Sequence, residues 1–145
     1  MQPIIRKMRI EDAFAVSHLS HQLGYALSEE QTQTQLEAVL TNKEHTAFVA
    51  TMNGAVSGWI HAFKPLYIES LPFVEIGGLV VDEAHRGNGI GKNLVEAVMH
   101  WCHEQNIPTL RLRSQVKRKE AHLFYKALGF EEIKQQIVFQ RKLSQ

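Results

Sequence analysis

The segment from Phe73 to Gln105 constrains the fold more than any other. "FVEIGGLVV" is a β-branched run that ends at the acidic turn "DEAH". From about Asn88 to Gln105, Ile90, Leu94, Ala97, Val98, Trp101 and Cys102 recur at helical spacing. A strand that leads straight into a one-faced helix leaves that apolar face one place to go, back onto the sheet. The chain is therefore expected to lay helices against a β-sheet.

The rest of the sequence extends the alternation. "PIIRKMRI" reads as a short strand. Asp12 can cap a helix to about Leu23, with Phe14, Val16 and Leu19 on its apolar side. Ser28 can cap another to about Leu40, with Glu29 and Glu30 in the first turn, where the helix dipole favours acids. "HTAFVATM" and "AVSGWIHAF" flank Asn53-Gly54, a strong hairpin signal. "PLYIESLP" is a proline-bounded loop, and "TLRLRS" reads as a strand. A helix from Lys119 to Leu128 stops at Gly129. Two strands, Glu131–Lys134 and Ile137–Lys142, are expected to finish the chain. The order β-α-α-β-β-β-α-β-α-β-β implies an α/β (α+β) fold with a mixed sheet flanked by helices. With 145 residues and no repeat or linker-like stretch, a single domain over 1–145 is expected.

Composition narrows the function classes. The net charge of +1 gives no general drive toward nucleic acid or a membrane surface. Cys102 is the single cysteine, so no intrachain disulfide can form, and a cytoplasmic location is expected. "MQPIIRKMRIED" is too charged for a signal peptide, and no apolar run approaches the roughly 20 residues of a membrane span. His18/His21 and His100/His103 are spaced i, i+3 without a third ligand nearby, so no metal is expected.

Gly87, Gly89 and Gly91 alternate between Arg86 and Lys92 at the junction of strand and helix. The dinucleotide fingerprint fails, because its third glycine would fall on Lys92 or Leu94. The P-loop fails too, since Arg86 and Asn93 stand where it needs glycine and Ser/Thr. An anion site remains favoured. The first N–H groups of the helix lack internal partners, the dipole adds positive potential, and glycines let a diphosphate approach the backbone.

"RGNGIG" resembles the Arg/Gln-x-x-Gly-x-Gly/Ala signature of the GNAT superfamily of N-acetyltransferases. "EAHLFYKALGF", Glu120 to Phe130, is similar to that family's A-x-x-φ-Y-x-x-x-G-F segment, where φ is hydrophobic. The element order agrees over nearly the whole chain. The resemblance implies a single GNAT-like domain with a mostly antiparallel central sheet whose central strands splay apart. It implies an acetyl-CoA-dependent N-acetyltransferase that moves an acetyl group to a primary amine by direct attack in a ternary complex.

The resemblance also implies site roles. Arg86, Gly87, Asn88, Gly89, Ile90, Gly91 and Lys92 would cradle the coenzyme A pyrophosphate. Leu79, Val80 and Val81 would offer backbone groups to the pantetheine arm, which suits the Gly77-Gly78 interruption of their strand. Ala121, Phe124 and Tyr125 would line the cofactor site, with Tyr125 assisting the leaving thiolate. Arg118 stands where many members carry asparagine, so Lys117, Arg118 and Lys119 would meet cofactor phosphates instead. Glu75 is the candidate base or amine-binding residue, at a position where some members carry a catalytic glutamate. Strand alternation places Glu75, Leu79 and Val81 on one face, unless a bulge at Gly77-Gly78 breaks the register.

The acceptor side would be built by the helices between Asp12 and Leu40 and by "PLYIESLP". Glu29, Glu30, Glu69 and Glu75 suit a cationic amine, and a small-molecule amine is the first choice. Protein or peptide amines, and a non-catalytic acyl-CoA sensor, are the alternatives. Cys102 is expected to pack in the core. The terminal strands could serve a homodimer.

Overall fold

The structure, a computed structural model, describes residues 2–144. Residues up to Arg113 form one compact unit and those from Ser114 a second. In the first unit, β1 (Ile4–Lys7) leads through a 3-10 turn at Ile10–Asp12 into α1 (Ala13–His21) and α2 (Glu29–Leu40). β2 (His45–Met52), β3 (Ala55–Phe63) and β4 (Val74–Val81) follow. A 3-10 turn at Glu83–His85, α3 (Ile90–Glu104) and β5 (Leu110–Leu112) complete it. The second unit carries α4 (Lys119–Ala127). Strand order is β1-β2-β3-β4-β5, antiparallel throughout except for the parallel β4–β5 pair. This is the mixed, mostly antiparallel sheet with flanking helices that the sequence implies.

Each face of the sheet has its own cover. On one, Val16 of α1 and Leu36 of α2 pack with Met8, Ala47 and Val49, and Trp59 and Val39 close the cluster. On the other, α3 lays down Ile90, Leu94, Val95 and Val98, all essentially buried. A Cβ at Gly58 would lie 2.9 Å from Ile90 and 3.3 Å from Leu94, so β3 and α3 approach closely there. Trp101 and Cys102 continue the buried stripe, and burial pushes the Cys102 thiol pKa up. Core packing of Cys102 is therefore borne out.

Three local expectations are corrected. Phe14 is exposed and stacks beside His18, because the inward stripe of α1 runs through Ala13, Val16 and Ser17. α3 begins at Ile90 rather than Asn88, since Gly89 takes a left-handed conformation just before it. The expected strands Glu131–Lys134 and Ile137–Lys142 are absent, and residues 130–144 form no regular element. Alternation marks a strand only where a neighbour supplies its hydrogen-bond partners. Here Ile137 and Phe139 are 78% and 88% exposed.

A partly buried ion pair pins β1 to the start of α1. Both Arg6 guanidinium nitrogens reach the Asp12 carboxylate at 2.9 Å, and the Arg9 backbone N–H adds a bond at 2.8 Å. Burial alone would raise the Asp12 pKa, but these hydrogen bonds and charges hold it below its ordinary value of 3.8. The lowered pKa means its stabilisation is complete above the unfolded-state value and is lost as pH falls through the folded one. Asp12→Ala should lower the unfolding free energy at pH 7 by about 1–3 kcal/mol. In urea titrations that gap should close as pH drops below about 4.

Candidate active site

The site begins where the sheet opens. β4 and β5 pair over Val74↔Leu110, Glu75↔Arg111 and Ile76↔Leu112 and no further. Beyond Ile76, β4 runs on through Val81 with no strand on that side among the described residues. Its backbone groups on that edge pair with no strand among the described residues. The edge is open because β5 ends at Leu112, opposite Ile76.

A bulge sits at the same point. The β3–β4 register shifts between His61 and Ala62, so His61 pairs with Gly78 and Ala62 with Ile76, and Gly77 is the extra residue. Cβ atoms at both glycines would point to one face: Gly77 toward the His61 ring at 2.7 Å, Gly78 toward the Trp59 ring at 2.8 Å. Both positions lack room for a side chain. The shift also separates Glu75 from Leu79. Glu75 pairs with Phe63 on the face bearing His61 and Trp59. Leu79 pairs with Ile60, and Val81 with Gly58, on the α3 face. The expectation that all three share a face is corrected, and the bulge is the cause. Glu75 is mostly buried, and Arg113 Nε lies 3.4 Å from its Oε2.

The glycine loop continues from β4. Gly87 and Gly89 have φ of 87° and 76°, in the left-handed region where only glycine sits without strain. A Cβ on either would meet nothing within 4 Å, so the space above them is open. Gly89 is the N-cap of α3 and brings no side-chain acceptor, which leaves the first amides of the helix for an incoming group. Arg86 and Lys92 are exposed on either side, Ile90 is buried beneath, and Gly91 opens the first turn. These residues fit a diphosphate: open backbone donors, positive potential and no occluding side chain.

The approach to the loop is braced. Asp82 accepts hydrogen bonds from Ala84 N at 3.1 Å and Gln22 Nε2 at 3.3 Å. Gln22 Oε1 accepts from Glu83 N at 3.1 Å. These bonds, the Ala84 amide foremost, hold the Asp82 pKa down. Asn88 caps the turn through His85 O at 3.0 Å. Sequence reading missed Gln22, whose contacts lie about 60 residues away in the chain.

In the second unit, α4 presents Ala121, Phe124 and Tyr125 together. Tyr125 packs edge-on against Phe124 and Phe130 at centroid distances of 5.2 and 5.9 Å. Leu128 N and Phe130 N both bond to Tyr125 O, which closes the helix ahead of Gly129. Lys117, Arg118, Lys119, Glu120 and Ala121 line an open hollow of about 420 Å³ at the start of α4. Arg118 is the N-cap without a side-chain cap bond, so its guanidinium is not spent on the helix.

The family model described as "Acetyltransferase (GNAT) family" matches residues 10–130. The chain belongs to the GNAT family. It is an N-acetyltransferase, and acetyl-CoA is its acetyl donor. An aminoglycoside N(6')-acetyltransferase type 1 of Stenotrophomonas maltophilia is 28% identical over 97% of this chain and 94% of its own length. A Salmonella typhimurium protein of the same name is 26% identical over 73% of this chain and 75% of its own. The fold matches aminoglycoside N-acetyltransferase AAC(6')-Iy in complex with CoA. There the TM-score is 0.88 at 23% identity, covering 98% of this chain and 96% of that one.

This GNAT loop gives a direct test. Gly89→Glu forces a side chain into the left-handed region and sets a carboxylate over the open amides. CoA binding, measured by calorimetry, should be lost, with a stability cost of about 1–2 kcal/mol. Undiminished CoA affinity in the folded variant would remove the loop from the donor site.

Proposed function

We propose that this GNAT enzyme acetylates a primary amine of a small molecule, and that an aminosugar amine of the aminoglycoside kind is its acceptor. The observation that carries the reading is the open edge of β4 from Gly77 to Val81, with Glu75 two residues before it. The near full-length similarity to the Stenotrophomonas maltophilia enzyme supports the acceptor class. The chain 1–145 would act as one acetyltransferase domain.

Acetyl-CoA supplies an activated acyl group, and the residues divide the remaining work. Backbone groups of Leu79, Val80 and Val81 bind the donor's arm along the open edge of β4, and an N–H near Leu79 polarises the carbonyl under attack. Arg86 to Lys92 hold the pyrophosphate through backbone amides and flanking positive charge. Lys117, Arg118 and Lys119 bind further phosphates, and Ala121 and Phe124 wall the donor. Glu75 draws the cationic acceptor to the bulge, and the amine attacks directly. Tyr125 donates its hydroxyl hydrogen bond to the departing sulfur. Ordinary phenols hold their proton about 1.5 pKa units more tightly than ordinary thiols, so full transfer is uphill by about 2 kcal/mol. The expected contribution is therefore partial protonation in the transition state.

Thiol release from acetyl-CoA, measured with aminoglycosides, polyamines, amino acids and lysine peptides, tests the acceptor. Turnover is expected with aminoglycosides, and turnover confined to peptides would overturn the small-molecule reading. Tyr125→Phe should lower kcat by about 10²-fold with CoA affinity nearly unchanged. An unchanged kcat, with chemistry rate-limiting, would take Tyr125 out of the mechanism.

A further inference from the structure

A primary ammonium has a pKa near 10.4 and no lone pair, so a proton must leave before or as the amine attacks. Glu75 is already engaged by Arg113 at 3.4 Å. Another proton acceptor stands at the bulge. His61 lies across from Gly78, and its Nδ1 is 2.7 Å from where a Cβ on Gly77 would stand. Gly77 is exposed and His61 partly so, on the face that also bears Glu75. His61 Nε2 is 2.9 Å from Nδ1 of His45 on β2. The two rings lie 6° from parallel with centroids 5.2 Å apart. Phe63 stacks on both, at 5.2 and 5.5 Å, and fixes the pair in place.

We propose that His61 accepts the acceptor amine's proton at Nδ1 and passes a proton through His45 to solvent. The inference rests on the reading that the amine enters over the bulge beside Glu75. His61 starts with its proton on Nε2 and a lone pair on Nδ1. As Nδ1 takes the amine proton, the Nε2 proton moves to Nδ1 of His45. The proton on His45 Nε2 then goes to water. No net charge stays on the pair, and exchange with water restores the starting tautomers between turnovers.

The setting suits a carrier rather than a charged base. Burial, together with the nearby His45, lowers the His61 pKa to about 4, so the resting His61 ring is neutral near pH 7. The titratable group set against His61 is His45 from β2, while Glu75, paired with Arg113, lies further along the same face opposite Phe63. The α1–α2 layer covers the neighbouring part of this face with apolar Val16, Leu36 and Val39. Lys64 and Glu44, next along the hairpin, pair with each other, and Lys64 turns to Gln105 and the Trp101 ring of α3.

The test compares His61→Gln and His45→Gln with the wild type in amine turnover from pH 6 to 10, with CoA affinity measured on each. His61→Gln should lower kcat about 10²-fold at pH 7 while CoA affinity stays within twofold. The deficit should shrink as pH approaches the amine pKa, because the acceptor then arrives deprotonated. His45→Gln should lose about tenfold with the same pH trend, and added imidazole should restore part of the activity of His61→Gly. A wild-type kcat and pH profile in His61→Gln would overturn the relay. So would a loss that is independent of pH and unrescued by imidazole, which is the mark of a structural role. A folded, CoA-binding wild type that turns over no small amine would overturn the acceptor reading, and the relay with it.

Discussion

Which side chains of β4 face which side of the sheet depends on one extra residue. Gly77 breaks the register with β3 between His61 and Ala62, next to the point where pairing with β5 ends. β5 ends at Leu112, opposite Ile76, so the edge of β4 from Gly77 to Val81 is open just where the bulge falls. The bulge puts Glu75 on the face of His61 while Leu79 and Val81 face α3. Donor-binding backbone and acceptor-facing side chains can then sit within a few residues of one another without competing for the same space. The glycines are required because the Trp59 and His61 rings lie over them, not because of their torsion angles.

The glycine loop depends on a second constraint, which is anchorage. Donors aimed at a diphosphate act only if their directions are fixed before the ligand arrives. Beneath the loop, Ile90, Leu94, Val95 and Val98 seat α3 against the sheet. Beside it, Gln22 ties the end of α1 to Asp82 and Glu83 through two hydrogen bonds. The flexible-looking run of glycines is thus held at both margins. Its openness is confined to the few positions where a side chain would stand in the way.

Much of this was legible in the sequence because it is local. The strand–turn–helix from Phe73 to Gln105, the Asn53-Gly54 hairpin and the Ser28 cap depend on residues close together in the chain. The capping box that Ser28 forms with Gln31 is visible as spacing alone. Gly77-Gly78 advertised an irregularity, but not which way it would turn Glu75. That required the pairing register, which depends on β3. His61 and His45 read as ordinary strand residues for the same reason: their hydrogen bond joins residues 16 apart. The missing terminal strands are the reverse case. Ile133, Ile137 and Phe139 carry a strand-like pattern, yet a pattern supplies no partner for backbone hydrogen bonds.

The same contrast explains why the family declares itself more loudly than the acceptor. A diphosphate and an extended amide arm are bound through backbone N–H and C=O groups, which every residue carries. Sequence then enters mainly through where side chains must be absent, and a few glycines at set spacing write that requirement plainly. An amine acceptor, by contrast, is chosen by side chains, and those proposed to meet it come from separate segments of the chain. Each is an ordinary residue in its own segment, and only their placement in space makes a specificity. Identity of 28% over nearly the whole chain goes with a shared family. It leaves room for much of a side-chain constellation to differ. The donor half of the reaction therefore follows from the family, and the acceptor half rests on the site proposed around Glu75 and His61.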